Sequence, residues 1–468
     1  MQNKSAYFWG LVGKFGPQFL YLITTMVLAR YLSAEDFGMM GVLSIIFIVA
    51  TVLLDSGLGG SLIKEKEISD VDLSSITLFN VTVSLLIYII LFFSADFIES
   101  IYETPQLADV VRWLGLVFPI TAFGIVPKSL LQRNIQFKTI CWNYMLGVAV
   151  GCITSIVIAI RGGGVFALVA YQLVTNLVNV IANTIYSKYI PKFKVSLNSL
   201  KRLLPFGIFT SIISIIDTIY ENIMTALIGK FMNVQQAGYM YQAKRIEETM
   251  SSSLAGTIGV VTFPILTKFK NDLEQFNKEA LSTIRLISYL SFPLLFTVAI
   301  FANQIIVLLF GEKWFESGFY LETLTFAGVF LILETLIRSF IKSLCEVEKL
   351  MYATLIKRVI GISLIIGSLL IKAEYIVYGY IVSAFVGYVV NALLFVNLSN
   401  ISVIQLLKTS FGSFIICVFY YLLFKLLLFF GIKIEYEVVL SIVLLLVYYL
   451  IMMSKFGISI SYFLKSKK

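Results

Sequence analysis

The stretch SIIDTIYENI, Ser214–Ile223, sets Asp217 and Glu221 one helical turn apart in an otherwise apolar surround. Together with Thr210, Ser214 and Thr225 they recur at spacings of 4, 3, 4 and 4, so a helix carries all five on one face. Ile212, Ile215, Ile216, Ile219 and Ile223 cover most of the remainder. A carboxylate at mid-membrane costs roughly 2.5–3.5 kcal/mol on insertion scales, so such a face turns toward protein or water. Held there, it can take up a proton or coordinate Na⁺.

The next apolar segment, Tyr239–Leu266, has its own polar stripe of Gln242, Arg245, Thr249, Ser252, Gly256 and Gly259, with Lys244, Glu247 and Glu248 crowding the same end. At the helical rise per residue, Glu221 lies about 15 Å and Arg245 about 10 Å below the outer ends of their helices, depths that let Glu221 meet Arg245 or its neighbours. Two readings stay open: opposite charges that neutralise each other for insertion, or cations lining a cavity for cargo with fixed negative charge. Phosphate suits the second, since Arg binds it in bidentate fashion and Lys as a point charge. Lys14, in the first apolar segment, joins Lys244 and Arg245 as a candidate. Arg112, Arg285 and Arg338 stand close enough to helix ends to snorkel. Lys357 and Arg358 lie in the eleventh span; Lys425, in the thirteenth, is given no role.

The elements that position these residues are membrane helices. Of 468 residues, 59% are hydrophobic and 13% charged, with mean hydropathy +0.92; a soluble domain carries about 25% charged residues. The net charge of +9 is dispersed over short loops, which sets topology and gives no footprint for nucleic acid. Histidine is absent, which excludes His metal sites, Ser-His triads and His relays. Cys141, Cys152, Cys345 and Cys417 have no metal-ligand spacing and read as small core hydrophobes. Neither a catalytic residue, a metal site nor a cofactor is expected, and the chain does not read as an enzyme. The first segment is too long for a cleavable signal peptide and lacks its small-residue cleavage site.

At about 20 residues per crossing, fourteen spans are expected, at 8–30, 38–63, 73–95, 107–127, 139–160, 165–187, 204–230, 239–266, 281–309, 319–341, 351–371, 376–397, 410–430 and 438–453. With both termini cytoplasmic, inner loops and tails hold 21 Lys and Arg against 6 outside, and this bias sets the orientation. Trp9 and Trp142 fall near inner ends, Trp113 and Trp314 near outer ends, as interfacial rings do. Pro17, Pro119, Pro205, Pro264 and Pro293 are candidate hinges.

An internal repeat runs through the chain. LARYLSAEDFGMM (Leu28–Met40) aligns with IGKFMNVQQAGYM (Ile228–Met240) at an offset of 200, pairing Arg30 with Lys230 and Gly38 with Gly238; KSLLQ (Lys128–Gln132) echoes KSLCE (Lys342–Glu346) at 214. The chain then parses as a six-helix bundle over 1–200, its repeat over 201–400, and two further helices with a basic cytoplasmic tail over 401–468. Six is even, so both halves share one orientation, with a cavity between them, which is a transporter architecture.

The stretches LARYLSAEDFG, LLDSGLGGSLI, SLLQRNIQFK, IGKFMNVQQAGYMYQAKRI and LLFGEKW, in order from residue 28 to 314, resemble Wzx-type flippases for O-antigen and teichuronic-acid-like polysaccharides. These form the polysaccharide transporter family of the multidrug/oligosaccharidyl-lipid/polysaccharide (MOP) superfamily. The resemblance implies an all-α membrane protein of the bacterial inner membrane, a V-shaped pair of bundles working by alternating access. Its cargo would be an undecaprenyl-pyrophosphate-linked oligosaccharide for surface polysaccharide, with a polymerase of the same pathway as a further partner. Basic residues on the first and eighth helices hold the pyrophosphate in relatives, which points to Lys14, Lys244 and Arg245. Relatives often carry arginine in the seventh span where this chain reads DTIYEN. Asp217 and Glu221 are therefore assigned to coupling or gating through a Na⁺ or H⁺ gradient, with Asp55 of LLDSGLGG as a weaker candidate.

Three rival readings remain: an exporter of organic cations of the same superfamily, which the seventh-span acids suit; a lipid II flippase; and a membrane-embedded polymerase or ligase. The last needs a catalytic outer loop. The longest expected here, SADFIESIYETPQ (Ser94–Gln106), carries acids but no basic or nucleophilic cluster.

Overall fold

A computed structural model describes residues 2–55, 62, 68–192, 196–344 and 346–430, with Ser441, Leu444, Leu445, Tyr448 and Tyr449. The regular elements of the described residues are all helical: α1 (Gln2–Tyr31), α2 (Ala34–Asp55), α3 (Asp70–Tyr102), α4 (Leu107–Gly115), α5 (Val117–Arg133), α6 (Phe137–Ile160), α7 (Phe166–Ser187), α8 (Leu197–Phe231), α9 (Val234–Lys268), α10 (Leu273–Ile300), α11 (Ala302–Phe310), α12 (Ser317–Ser343), α13 (Val347–Ile371), α14 (Ile376–Ser399) and α15 (Val403–Phe429), with short 3₁₀ turns at Glu312–Trp314 and Ala373–Tyr375. Among them, ten stretches are long and apolar enough to cross a membrane. The chain is a multi-pass membrane protein. The expected fourteenth span, 438–453, lies almost wholly outside the described residues.

Helix ends follow local chemistry. Ser69 and Asp72 form a reciprocal capping box at the start of α3, and Asp272 accepts from the Gln275 amide at the start of α10. The fourth span divides at Leu116, and Pro119 falls in the first turn of α5, where its missing N–H leaves no helical bond unmade. The expected outer loop from Ser94 is a correction: α3 continues to Tyr102, and the loop is residues 103–106 alone. Along that extension Asp96 receives both oxygens' worth of hydrogen bonding from Arg112 Nη2, at 2.7 Å each.

The chain forms two compact units, Met1–Gln242 with Val307–Trp314, and Ala243–Ile306 with Phe315–Lys468. In the first, α6 packs on α7 and α1, α5 on α7, and α8 on α2. Small residues and amides carry the α6–α7 seam, where Asn143 donates to Asn183 at 2.9 Å, the kind of contact membrane helices use when lipid removes any hydrophobic preference. In the second unit, α14 packs on α13 and α12, and α10 on α12 and α15. Its core is aromatic, with Phe276, Phe292, Phe296, Phe340, Tyr388 and Phe395 buried. Cys141 and Cys417 are buried, as core hydrophobes should be, whereas Cys152 is half-buried and accepts from Thr24 Oγ1 at 2.6 Å and Cys345 lies outside the described residues.

Candidate functional site

The repeated turns meet in the first unit. Ser33 caps α2 by accepting from the Asp36 amide at 3.1 Å, and Asn233, its equivalent 200 residues on, accepts from the Gln236 amide at 2.7 Å. The two helix starts then cross at their glycines. A Cβ on Gly38 would overlap the carbonyl oxygen of Val234, and one on Gly238 would overlap that of Ala34. Only glycine permits this approach of backbone to backbone.

A distant stretch seals the end of α1, whose last carbonyls have no helical partner. Trp314 Nε1 donates to Ala29 O at 3.0 Å, and Lys313 Nζ to Arg30 O at 3.2 Å and Leu32 O at 2.6 Å. Trp314 is fully buried, edge-on to Phe37 and Tyr239. It is therefore not an interfacial ring, a correction to the reading of its position; Trp113 and Trp142 are exposed as that reading requires. Burial pushes the Lys313 amine below the usual lysine range, against the opposing pull of Asp36.

On α8 the packed face is Tyr220, Met224 and Ile228, with Thr225 against Gly41 of α2. Nearer the start of the helix on the same face, Asp217 is half-buried and Glu221 exposed. On α9, Lys244 is buried and reaches Glu248 at 3.4 Å, while Arg245 is half-buried. Lys14 belongs to α1 and Asp55 ends α2, but their side chains lie outside the described residues, as do Thr210, Ser214 and the α9 stripe from Ser252 to Gly259. A polar recess of about 420 Å³ at the α8–α9 turn is bordered by Glu35, Tyr102, Glu103, Lys230, Asn233 and Gln235, none of them a sequence candidate.

Three acids that carried no assignment in the sequence emerge in the second unit. Glu334 of α12 is 2% exposed, and its Oε1 accepts from Lys357 Nζ at 2.5 Å and Arg338 Nη2 at 3.1 Å. Arg358, also buried, adds a third positive charge nearby. Arg338 thus bonds inward and does not snorkel, which corrects its expected role. Glu247 of α9 is 5% exposed, and its Oε1 accepts from Ser251 Oγ at 2.5 Å. Glu322 of α12 holds the thirteenth span through Lys425 Nζ at 2.9 Å and the Tyr421 hydroxyl, giving Lys425 a structural task. The Glu334–Arg338 spacing of four was a visible cue; the burial of Glu247 had none.

The structure superposes on the lipid II flippase MurJ in an inward closed conformation with a TM-score of 0.77, at 16% identity over 95% of this chain and 98% of that one. It also matches an inward-facing multidrug resistance MATE family transporter of the MOP superfamily, at TM-score 0.64 and 16% identity over 82% and 96%. The fold is that of the MOP superfamily, as the resemblance implied. The family described as "Polysaccharide biosynthesis protein" matches residues 27–318, and the chain belongs to it. Similar relatives include an uncharacterized membrane protein in the cps region of Klebsiella pneumoniae, 25% identical over 73% of this chain and 71% of that protein. Another is the lipopolysaccharide biosynthesis protein WzxC of Escherichia coli K12, 26% identical over 63% of this chain and 60% of that protein. The latter match covers less than two thirds of the relative's length. The solved structures that share the fold are a flippase and a transporter.

Proposed function

We propose that the protein is a flippase carrying an undecaprenyl-pyrophosphate-linked oligosaccharide from the inner to the outer leaflet of a bacterial inner membrane, for surface polysaccharide. Two six-helix halves, 1–200 and 201–400, alternate access to the cargo, with 401–468 as an addition and both termini cytoplasmic. The observation that carries this reading is the family match over 27–318 on a MOP transporter fold. Lys14, Lys244 and Arg245 hold the pyrophosphate. What supports it is the placement of two cations side by side on α9, Lys244 buried and Arg245 half-buried, within an apolar segment where charge is costly and so functional by default. Coupling to Na⁺ or H⁺ falls to membrane carboxylates, Asp217, Glu221 and Asp55 being the sequence candidates. A polymerase takes over the delivered units.

The test is a strain with this gene deleted. Loss of surface polymer with lipid-linked repeat units trapped on the cytoplasmic side, restored by wild type and not by Arg245→Ala, is the expected result. An unchanged surface with new sensitivity to cationic dyes would replace the reading with organic-cation export, and Asp217 and Glu221 would become cargo ligands.

A further inference from the structure

Two junctions of the first unit are equivalent in the repeat, and they are finished differently. One is the α1–α2 turn, where the stretch after α11 inserts: Lys313 Nζ and Trp314 Nε1 bond the last carbonyls of α1, and the indole is fully buried. The other is the α8–α9 turn, 200 residues on, and the stretch beside it is the one after α3. α3 and α11 end alike. Glu103 N donates to Glu99 O and Gly311 N to Val307 O, each at 2.8 Å, and both residues are left-handed, with φ of 51° and 99°. Beyond that shared point the loops part. Lys313 and Trp314 stand two and three residues after Gly311, whereas Pro105 and Gln106 hold those places after Glu103. The loop after α3 thus supplies no indole, and the polar recess of about 420 Å³ lies at its junction. Lys230, the counterpart of Arg30, crosses to Ile101 O at 2.5 Å.

The recess is rich in acceptors. Glu35 of α2 and Glu103 of the loop reach it from separate elements, neither in an ion pair among the described residues. α8 ends here, and the carbonyls of its last turn add the negative end of a helix. Donors are fewer. Lys230 has N–H bonds beyond the one to Ile101 O, and Asn233, whose oxygen accepts from the Gln236 amide, keeps its NH₂. Two carboxylates against one ammonium repel phosphate and uronate. An apolar guest would leave all these groups unpaired. A neutral ring of hydroxyls suits them, each hydroxyl donating to a carboxylate or carbonyl and accepting from the ammonium or amide. The volume lies within the range of small-molecule sites, about 300–1,000 Å³.

We propose that this recess is a saccharide subsite, taking a neutral sugar of the cargo where the equivalent junction holds Trp314. This deepens the flippase reading and rests on it. In the proposed orientation the α8–α9 turn faces outward, so the site receives the sugar end once it has crossed. It is separate from the pyrophosphate cations, Lys244 and Arg245, which stand further along α9. Glu35, Glu103 and Lys230 come from three elements, so the match of hydroxyls to their positions selects among sugars.

The test uses the full-length protein in a polyoxyethylene detergent, which has no sugar headgroup, and saturation-transfer NMR with the methyl glycosides of glucose, galactose and mannose. Sodium glucuronate is the anionic control. Transfer to at least one neutral glycoside and none to glucuronate is the expected result. The double variant Glu35→Ala with Glu103→Gly should bind about tenfold or more weakly, having lost two charged acceptors. Glycine is at ease in the left-handed conformation of position 103, so that change leaves the loop its shape. Gln235→Trp, at an exposed position on the border, sets an indole in the recess and should abolish binding. Arg112→Ala should bind as wild type does. Binding unchanged in the double variant and in Gln235→Trp, transfer to glucuronate equal to that of the neutral sugars, or a wild-type protein that binds none of the glycosides would each overturn the proposal. In the last case a thermal midpoint raised by CaCl₂ and not in the double variant would make the recess a cation site. The deletion strain keeps the two readings apart. Sugar binding lost in both variants, with the polymer intact in the deletion, would sink the flippase and leave a sugar site; polymer lost in the deletion, with no sugar bound, would sink this site alone.

Discussion

Glu334 and Glu247 are buried in the same unit and each rests against a glycine, yet they are held in opposite ways. Glu334 shares one oxygen between Lys357 and Arg338, with Arg358 near, while its Oε2 lies beside Gly387. Glu247 has a serine. The first arrangement has more positive than negative charge locked into one geometry, and nothing can be removed from it cheaply. The second has one hydroxyl on Oε1 and, among the described residues, no ion pair, whereas in the first it is Oε2 of Glu334 that is buried without a hydrogen bond.

The contrast is broken most directly at Lys357. Lys357→Met should cost about 3–5 kcal/mol in unfolding free energy, because it removes a partner from a buried pair; denaturant unfolding in detergent measures it, and a cost under about 1 kcal/mol would show Glu334 to be no better held than Glu247. Gly387→Ala comes next. Its Cβ would meet Glu334 Oε2 at 2.7 Å, and overpacking of that kind costs about 1–3 kcal/mol. Gly328→Ala should fall in the same range, its Cβ meeting Glu247 Oε1 at 2.7 Å. Glu247→Gln should leave stability within about 1 kcal/mol of wild type or raise it, since it deletes a buried charge that, among the described residues, is in no ion pair. A loss of several kcal/mol there would mean a partner comparable to Lys357.

The exposed pairs supply the lower end of the scale. Arg112→Ala breaks the two 2.7 Å contacts with Asp96 and should cost only about 0.2–1 kcal/mol, screened by salt. Lys192, bonded to Asp70 at 2.6 Å, has its pKa raised by that hydrogen bond and charge. A lysine raised on folding stabilises fully below its unfolded value, about 10.4, and loses the contribution as pH climbs through the folded one. Asp70→Asn should therefore flatten a small fall in thermal midpoint at strongly alkaline pH.

Much of the frame was legible in the sequence. Apolar runs of membrane length gave the helices, and the offset of 200 picked out Gly38 and Gly238, which do occupy matching places. The site was legible only in part. Periodicity put Asp217 and Glu221 on one face of α8 but could not say how far along it a neighbour would reach; Thr225 and Ile228, further along that face, are covered and Glu221 is not. Glu247 looked like one more charge at a crowded helix end. Its burial depends on Gly328, 81 positions further along the chain, and no local pattern reports what a helix will pack against. Trp314 misled for the same reason, since an aromatic near a helix end can lie in lipid or cap another helix.

The crossing of α2 and α9 is reciprocal. Gly38 faces the carbonyl four residues before Gly238, and Gly238 faces the carbonyl four residues before Gly38. This is an isologous contact, the form in which a two-fold homodimer touches itself, made here within a single polypeptide. Duplication and fusion of one ancestral subunit preserves such an interface without designing it anew. It also ties the copies together: the rest of the two halves is free to diverge, one toward acids in α8 and the other not, but neither glycine can acquire a side chain while its counterpart's backbone stays where it is.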